Sequence, residues 1–109
     1  MSVMVDIADL AGALAGRPWA YLLTVGPELR VHALAVDASY DGAAFRLVTG
    51  RGSRANAVER PEVTLVFPPV EAGGMSLIVD GAASVDDDHV VVRPTGAVLH
   101  RSAPGVATG

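Results

Sequence analysis

Apolar residues fall at Ile7, Leu10, Ala11 and Leu14, the spacing that lays one stripe along a helix, and beyond them the pattern shifts toward the alternation of strands. Asp6 stands where an N-cap belongs, and Gly16 with Pro18 just beyond ends the segment. Strand-like runs follow at 20–25, 30–38, 45–49, 63–67, 75–79 and 89–93. Gly26-Pro27-Glu28, Asp41-Gly42, Pro68-Pro69 and Gly73-Gly74 punctuate them as turns or breaks. Asp80-Gly81 interrupts the fifth run as a bulge or bend, because the pattern resumes at 82–85, and Asp86-Asp87-Asp88 makes a turn. A short helical segment after the third strand stops at Arg60-Pro61. Connections this short, without a repeated βαβ rhythm, predict a mainly β chain (α+β by some schemes). The expected architecture is a six-stranded antiparallel barrel with an N-terminal helix and a short helix after the third strand, in one domain over 1–109.

Composition narrows the setting. A hydrophobic content of 50% and a mean hydropathy of +0.40 exclude a disordered chain, yet no apolar run is long enough to span a bilayer. The first residues show no basic region followed by a long apolar one, so no secretion signal is read. Zero cysteines remove disulfides and thiolate metal sites, and a cytoplasmic address follows by default. A net charge of -4 argues against general nucleic-acid binding. All 8 Lys/Arg positions are arginine, which closes Schiff-base lysine chemistry to this chain.

The densest candidate chemistry lies at Thr49-Gly50-Arg51-Gly52-Ser53-Arg54, between the third strand and the helix. Two glycines loosen the backbone, and Arg51 and Arg54 fall on one side of a first helical turn. Ser53 is an N-cap candidate, and Thr49 adds a hydroxyl. Such a helix start suits a phosphate or carboxylate, although the same residues would also make a plain polar connection. Neither GxxxxGK[ST] nor GxGxxG is present. His32, His89 and His100 lack metal-ligand spacing, and the aspartates at 86–88 lack an EF-hand pattern. His32 shares a strand face with Leu34 and Val36, as a rim histidine or a cofactor neighbour. Trp19 and Tyr21 read as core aromatics. No serine has a GxSxG context, and no catalytic acid/base constellation appears.

The order of parts resembles a known family. AYLLTV at 20–25, RVHALAV at 30–36, FRLVTG at 45–50, SRANAVERPEVTLVF at 53–67 and SLIVDGAASV at 76–85 together are similar to the FMN-binding split-barrel proteins related to pyridoxamine 5'-phosphate oxidase, in particular short actinobacterial-type members. The resemblance implies a six-stranded antiparallel split β-barrel and a homodimer with cofactor sites at its interface. It puts the cofactor phosphate on Arg51, Ser53 and Arg54, close to Thr49 and Gly50. It lays the ring system along the backbone near His32, Ala33, Leu34, Leu47 and Val48. The implied cofactor is FMN, with the deazaflavin F420 as the alternative, and the implied activity is hydride transfer on a small molecule. Leu99-His100-Arg101 is only an echo of the family's substrate-binding Arg/His pair, so vitamin B6 oxidase activity itself is not expected. A non-catalytic flavin- or haem-binding carrier or sensor, or a dimeric barrel that has lost its cofactor, stands as the alternative.

Overall fold

The computed structural model describes residues 2–103. Its strands are β1 (Ser2–Val5), β2 (Trp19–Val25), β3 (Val31–Asp37), β4 (Ser39–Tyr40), β5 (Phe45–Val48), β6 (Glu62–Phe67), β7 (Met75–Asp86) and β8 (His89–Arg101), with helices α1 (Leu10–Ala13) and α2 (Arg51–Glu59). The strands form one antiparallel sheet in the order β3-β2-β6-β7-β8-β5-β4, with β1 also paired to β8. The sheet curls until its β3 and β5 margins approach each other, with no ladder between them among the described residues. A barrel split along one seam results.

Alternation explains the curl. Ala20, Leu22 and Thr24 on β2, Val63, Leu65 and Phe67 on β6, and Leu77 and Val79 on β7 face one core with Phe45 and Leu47 of β5. Each large side chain buried there contributes roughly 1.5–3 kcal/mol relative to exposure. On β8 the buried positions change parity, from Val90 and Val92 to Ala97. Asp80 pairs with Gly96 whereas Gly81 pairs with Pro94, so Thr95 is the extra residue of a bulge. The irregularity expected at Asp80-Gly81 is real, with its inserted residue on the partner strand. Gly81 is required at this crossing. A Cβ there would stand 2.4 Å from Val92 Cγ1 and 2.8 Å from the Arg93 carbonyl oxygen.

Three differences from the sequence reading have local causes. The last strand runs to Arg101, because the bulge accommodates Pro94 and Gly96, which otherwise read as strand breakers. β1 and β4 raise the strand number above six; each is too short for a periodic signal. The N-terminal helix is a 3-10 turn (Ile7–Asp9) followed by the single α-turn α1. Asp6 precedes it without a side-chain capping bond, Gly12 weakens its continuation, and Gly16 ends the segment at φ +74°. Leu10 alone of its apolar stripe is fully buried.

Candidate functional site

The β5 ladder ends at Val48, and two residues later α2 begins with Gly50 as its N-cap. No side chain caps the helix, and its first turn holds no acid. The opening amides therefore lack intrahelical acceptors and carry the positive end of the helix dipole. Ser53 is not the N-cap. It is the third helical residue and only 2% exposed, because the helix starts earlier than its hydroxyl suggests. A Cβ at Gly50 or Gly52 would meet nothing within 4 Å, so the outer side of this turn is open.

The two arginines differ. Arg51 is exposed and makes no hydrogen bond or ion pair with the described residues. Arg54 is half-buried, and its Nη1 donates to the carbonyl oxygen of Thr49 and, at 3.4 Å, to that of Asp88. The Thr49 amide donates to the same Asp88 carbonyl at 3.1 Å, so the β7–β8 turn holds the loop from below. The Asp88 carboxylate faces its neighbour His89, with 2.9 Å between Oδ1 and Nδ1. Thr49 is 8% exposed, and its Oγ1 is buried without a partner. An orphaned buried hydroxyl is costly by about 1–3 kcal/mol and marks a place where a polar partner fits.

Along the seam, outward side chains of β3 and β5 border a cleft of about 530 Å³ lined by Trp19, Ala35, Val36, Asp37, Ser39, Arg46 and Val48. Of the expected ring wall, Val48 lines this cleft, and Ala33 is exposed on the same strand face as Ala35. His32 pairs with Thr24 and is exposed, whereas Leu34 pairs with Leu22 and packs on the core. Leu47 is fully buried, so its side chain cannot touch a ligand in the cleft. The cleft positions missed by sequence reasoning share parity with Ala33 and Val48: Ala35 and Asp37 on β3, Arg46 on β5. Trp19 and Tyr21 are not core aromatics. They are 38% and 43% exposed and meet edge to face at 5.1 Å, because nothing among the described residues covers the outer side of β2. Arg46 is paired with Asp86 at 3.1 Å in an exposed bridge. His100 and Arg101 lie at the opposite end of β8 from His89, and His100 Nδ1 is 3.0 Å from Ser2 Oγ.

The chain is 42% identical to the uncharacterized protein Mb0449c of Mycobacterium bovis over 117 residues, 91% of this chain and 82% of that protein. The uncharacterized protein MT0457 of Mycobacterium tuberculosis matches to the same extent. The chain belongs to their family. No family model matches it. Among solved structures, an F420 reductase superposes with a TM-score of 0.64 at 22% identity, over 78% of this chain and 93% of that one. A putative pyridoxamine 5'-phosphate oxidase from Listeria innocua gives 0.68 at 17% identity, over 89% and 100%. The FAD binding protein from Mycobacterium smegmatis gives 0.66 at 16%, over 93% and 100%. The fold of this chain is thus the split barrel of pyridoxamine 5'-phosphate oxidase-like proteins. No helix among the described residues of this split barrel is long and apolar enough to cross a membrane.

Proposed function

We propose that this protein binds a flavin-type cofactor, FMN or alternatively F420, and carries out hydride transfer on a small molecule in the cytoplasm. The observation that carries the reading is the open α2 N-terminus. There the guanidinium of Arg51, without a partner among the described residues, and the orphaned Thr49 Oγ1 lie in the turn that follows Val48 of the seam cleft. This donor set fits a phosphate, which takes charge-assisted hydrogen bonds from a helix start and an arginine. Arg51 and the first-turn amides would hold it, and Arg54 keeps the loop in shape through its carbonyl bonds. Ala33, Ala35 and Val48 offer an apolar wall for a flat ring system, beside Trp19. When bound, the cofactor supplies the hydride acceptor and donor. This chain's residues anchor, orient and exclude water.

The reading includes a homodimer. Register alignment sets Ala35, Tyr21, Val66, Ile78, Val98 and Met4 side by side across the outer sheet, from β3 to β1. Met4 is 87% exposed in that row, and Tyr21 is half-exposed. A self-complementary apolar band fits a second copy of the chain, whose cover would deepen the adjoining cleft.

Titration of flavin fluorescence tests the anchor. Arg51→Ala should weaken FMN binding about ten- to a hundredfold, the equivalent of one charge-assisted contact of roughly 1.5–3 kcal/mol. Riboflavin, lacking the phosphate, should bind both proteins alike. Equal affinity of the wild type for FMN and riboflavin would reduce the loop to an ordinary connection. Sedimentation at the 11.1 kDa monomer mass alone would remove the dimer.

A further inference from the structure

A second cavity, of about 480 Å³, lies where the N-terminal segment meets the ends of β3 and β4, and it shares no lining residue with the seam cleft. Its walls include Ala11, Leu14, Pro18, Ala38 and Tyr40, and its one charged group is Arg17. The turn at Gly16, which takes the left-handed φ of +74°, delivers Arg17 to this wall.

The Arg17 side chain is fixed by main chain on two sides. Its Nε donates to the Ala13 carbonyl oxygen at 3.1 Å, and its Nη1 donates to that of Pro68, also at 3.1 Å. These bonds use two of the five guanidinium N–H groups and leave Nη2 with no partner among the described residues. The chain has 12 acidic residues, yet no described carboxylate comes within salt-bridge distance of Arg17. Burial meanwhile lowers the pKa of this guanidinium, the mark of a cation losing water without gaining a counter-ion. The Tyr40 hydroxyl is already committed to the Gly42 carbonyl at 3.1 Å, and its ring lies 4.6 Å from that of Phe45. Tyr40 therefore offers the cavity an apolar ring and no free donor.

The geometry points to a binding site for a small monocarboxylate with an aliphatic or aromatic body, its head on Arg17 and its body against Leu14, Pro18, Ala38 and Tyr40. A single oriented guanidinium suits one negative charge and two oxygens. A phosphate dianion would demand further donors, which the apolar walls do not supply. The volume lies in the range of small-molecule pockets, on the order of 300–1,000 Å³. The site is independent of the flavin reading, since it uses neither α2 nor the seam.

Amide chemical shifts during titration with hexanoate test it, with hexanol as the uncharged match and FMN present or absent. Hexanoate should give saturable shifts at Ala11, Leu14, Ala38 and Tyr40, unchanged by FMN, and hexanol should bind at least about tenfold more weakly. Removing Arg17 risks loosening the segment that it ties, so the decisive variant is Ala11→Phe, which fills the cavity and keeps both ties. That variant should lose the hexanoate response. The absence of a saturable response up to about 10 mM, equal binding of hexanol, or an unaltered Ala11→Phe titration would each overturn the site.

Discussion

The β7–β8 hairpin and the β3–β5 seam are built from the same alternation of apolar residues and end in opposite states. β7 and β8, of 12 and 13 residues, are paired along their length, and Leu77, Val79, Val90 and Val92 are fully buried beneath them. β5 has 4 residues, and β3 shows most of its side chains to solvent. Where the ladder is continuous, these inward side chains meet the core that the curled sheet encloses. At the seam it stops, and in the turn after β5 Thr49 Oγ1 and Arg51 have no partner among the described residues. The contrast teaches that burial is unevenly shared: the hairpin side carries the core, and the seam leaves side chains open, where the proposed function places its ligand.

The sharpest way to break this contrast is truncation on both sides. Phe67 is fully buried and stacks 5.9 Å from Phe45, so Phe67→Ala should cost about 3–5 kcal/mol in urea denaturation. Val48, on the seam and 64% exposed, should cost no more than about 0.5 kcal/mol when changed to Ala. Comparable losses would mean that the seam is part of the core and not a free wall.

A pair of glycines tests the same division with one methyl group each. Gly81→Ala drives a Cβ against the Arg93 carbonyl at 2.8 Å, backbone that cannot swing away, and should destabilise the fold by roughly 1–3 kcal/mol. Gly52→Ala meets nothing within 4 Å inside α2 and should stabilise the helix by up to about 1 kcal/mol. The same methyl would crowd the helix start, so flavin affinity should fall while the melting temperature rises. A Gly52→Ala protein that melts earlier would show that this turn is not free space.

The legibility of the two regions differs for the same reason. Long alternating runs gave the middle strands, and the change at Asp80-Gly81 was visible because a polar pair interrupts an apolar run. The extension of β8 was hidden, since Pro94 and Gly96 signal a break unless the bulge at Thr95 is known. In the candidate site, the turn and its arginines were legible from the order and spacing of residues 49–54. Which arginine is spent was not: that depends on the Asp88 carbonyl, 34 residues away from Arg54 in sequence. The resemblance puts both Leu47 and Val48 near the ring, but a strand reverses its face at each residue, so Leu47 turns into the core and Val48 outward.

The smallest expected effect concerns the turn that presents β5 to the seam. Asp41 Oδ1 accepts hydrogen bonds from the amides of Ala43 and Ala44, both at 2.8 Å, and so closes the link between β4 and β5. The amide of Ala44, followed by that of Ala43, holds the Asp41 carboxyl below its ordinary value of 3.8. A depressed folded pKa means that the charged form favours the native state. The contribution is complete above the ordinary carboxylate range and is lost as the pH falls through the lowered folded value. Asp41→Asn keeps an acceptor oxygen and removes the charge, so the variant should lie slightly below the wild type near neutrality and converge with it in acid. The carboxylate is fully exposed, which keeps the difference small. Melting curves of both proteins, collected from neutrality down through the acid range, measure it. Parallel curves at every pH would show that the turn holds β5 without help from this charge.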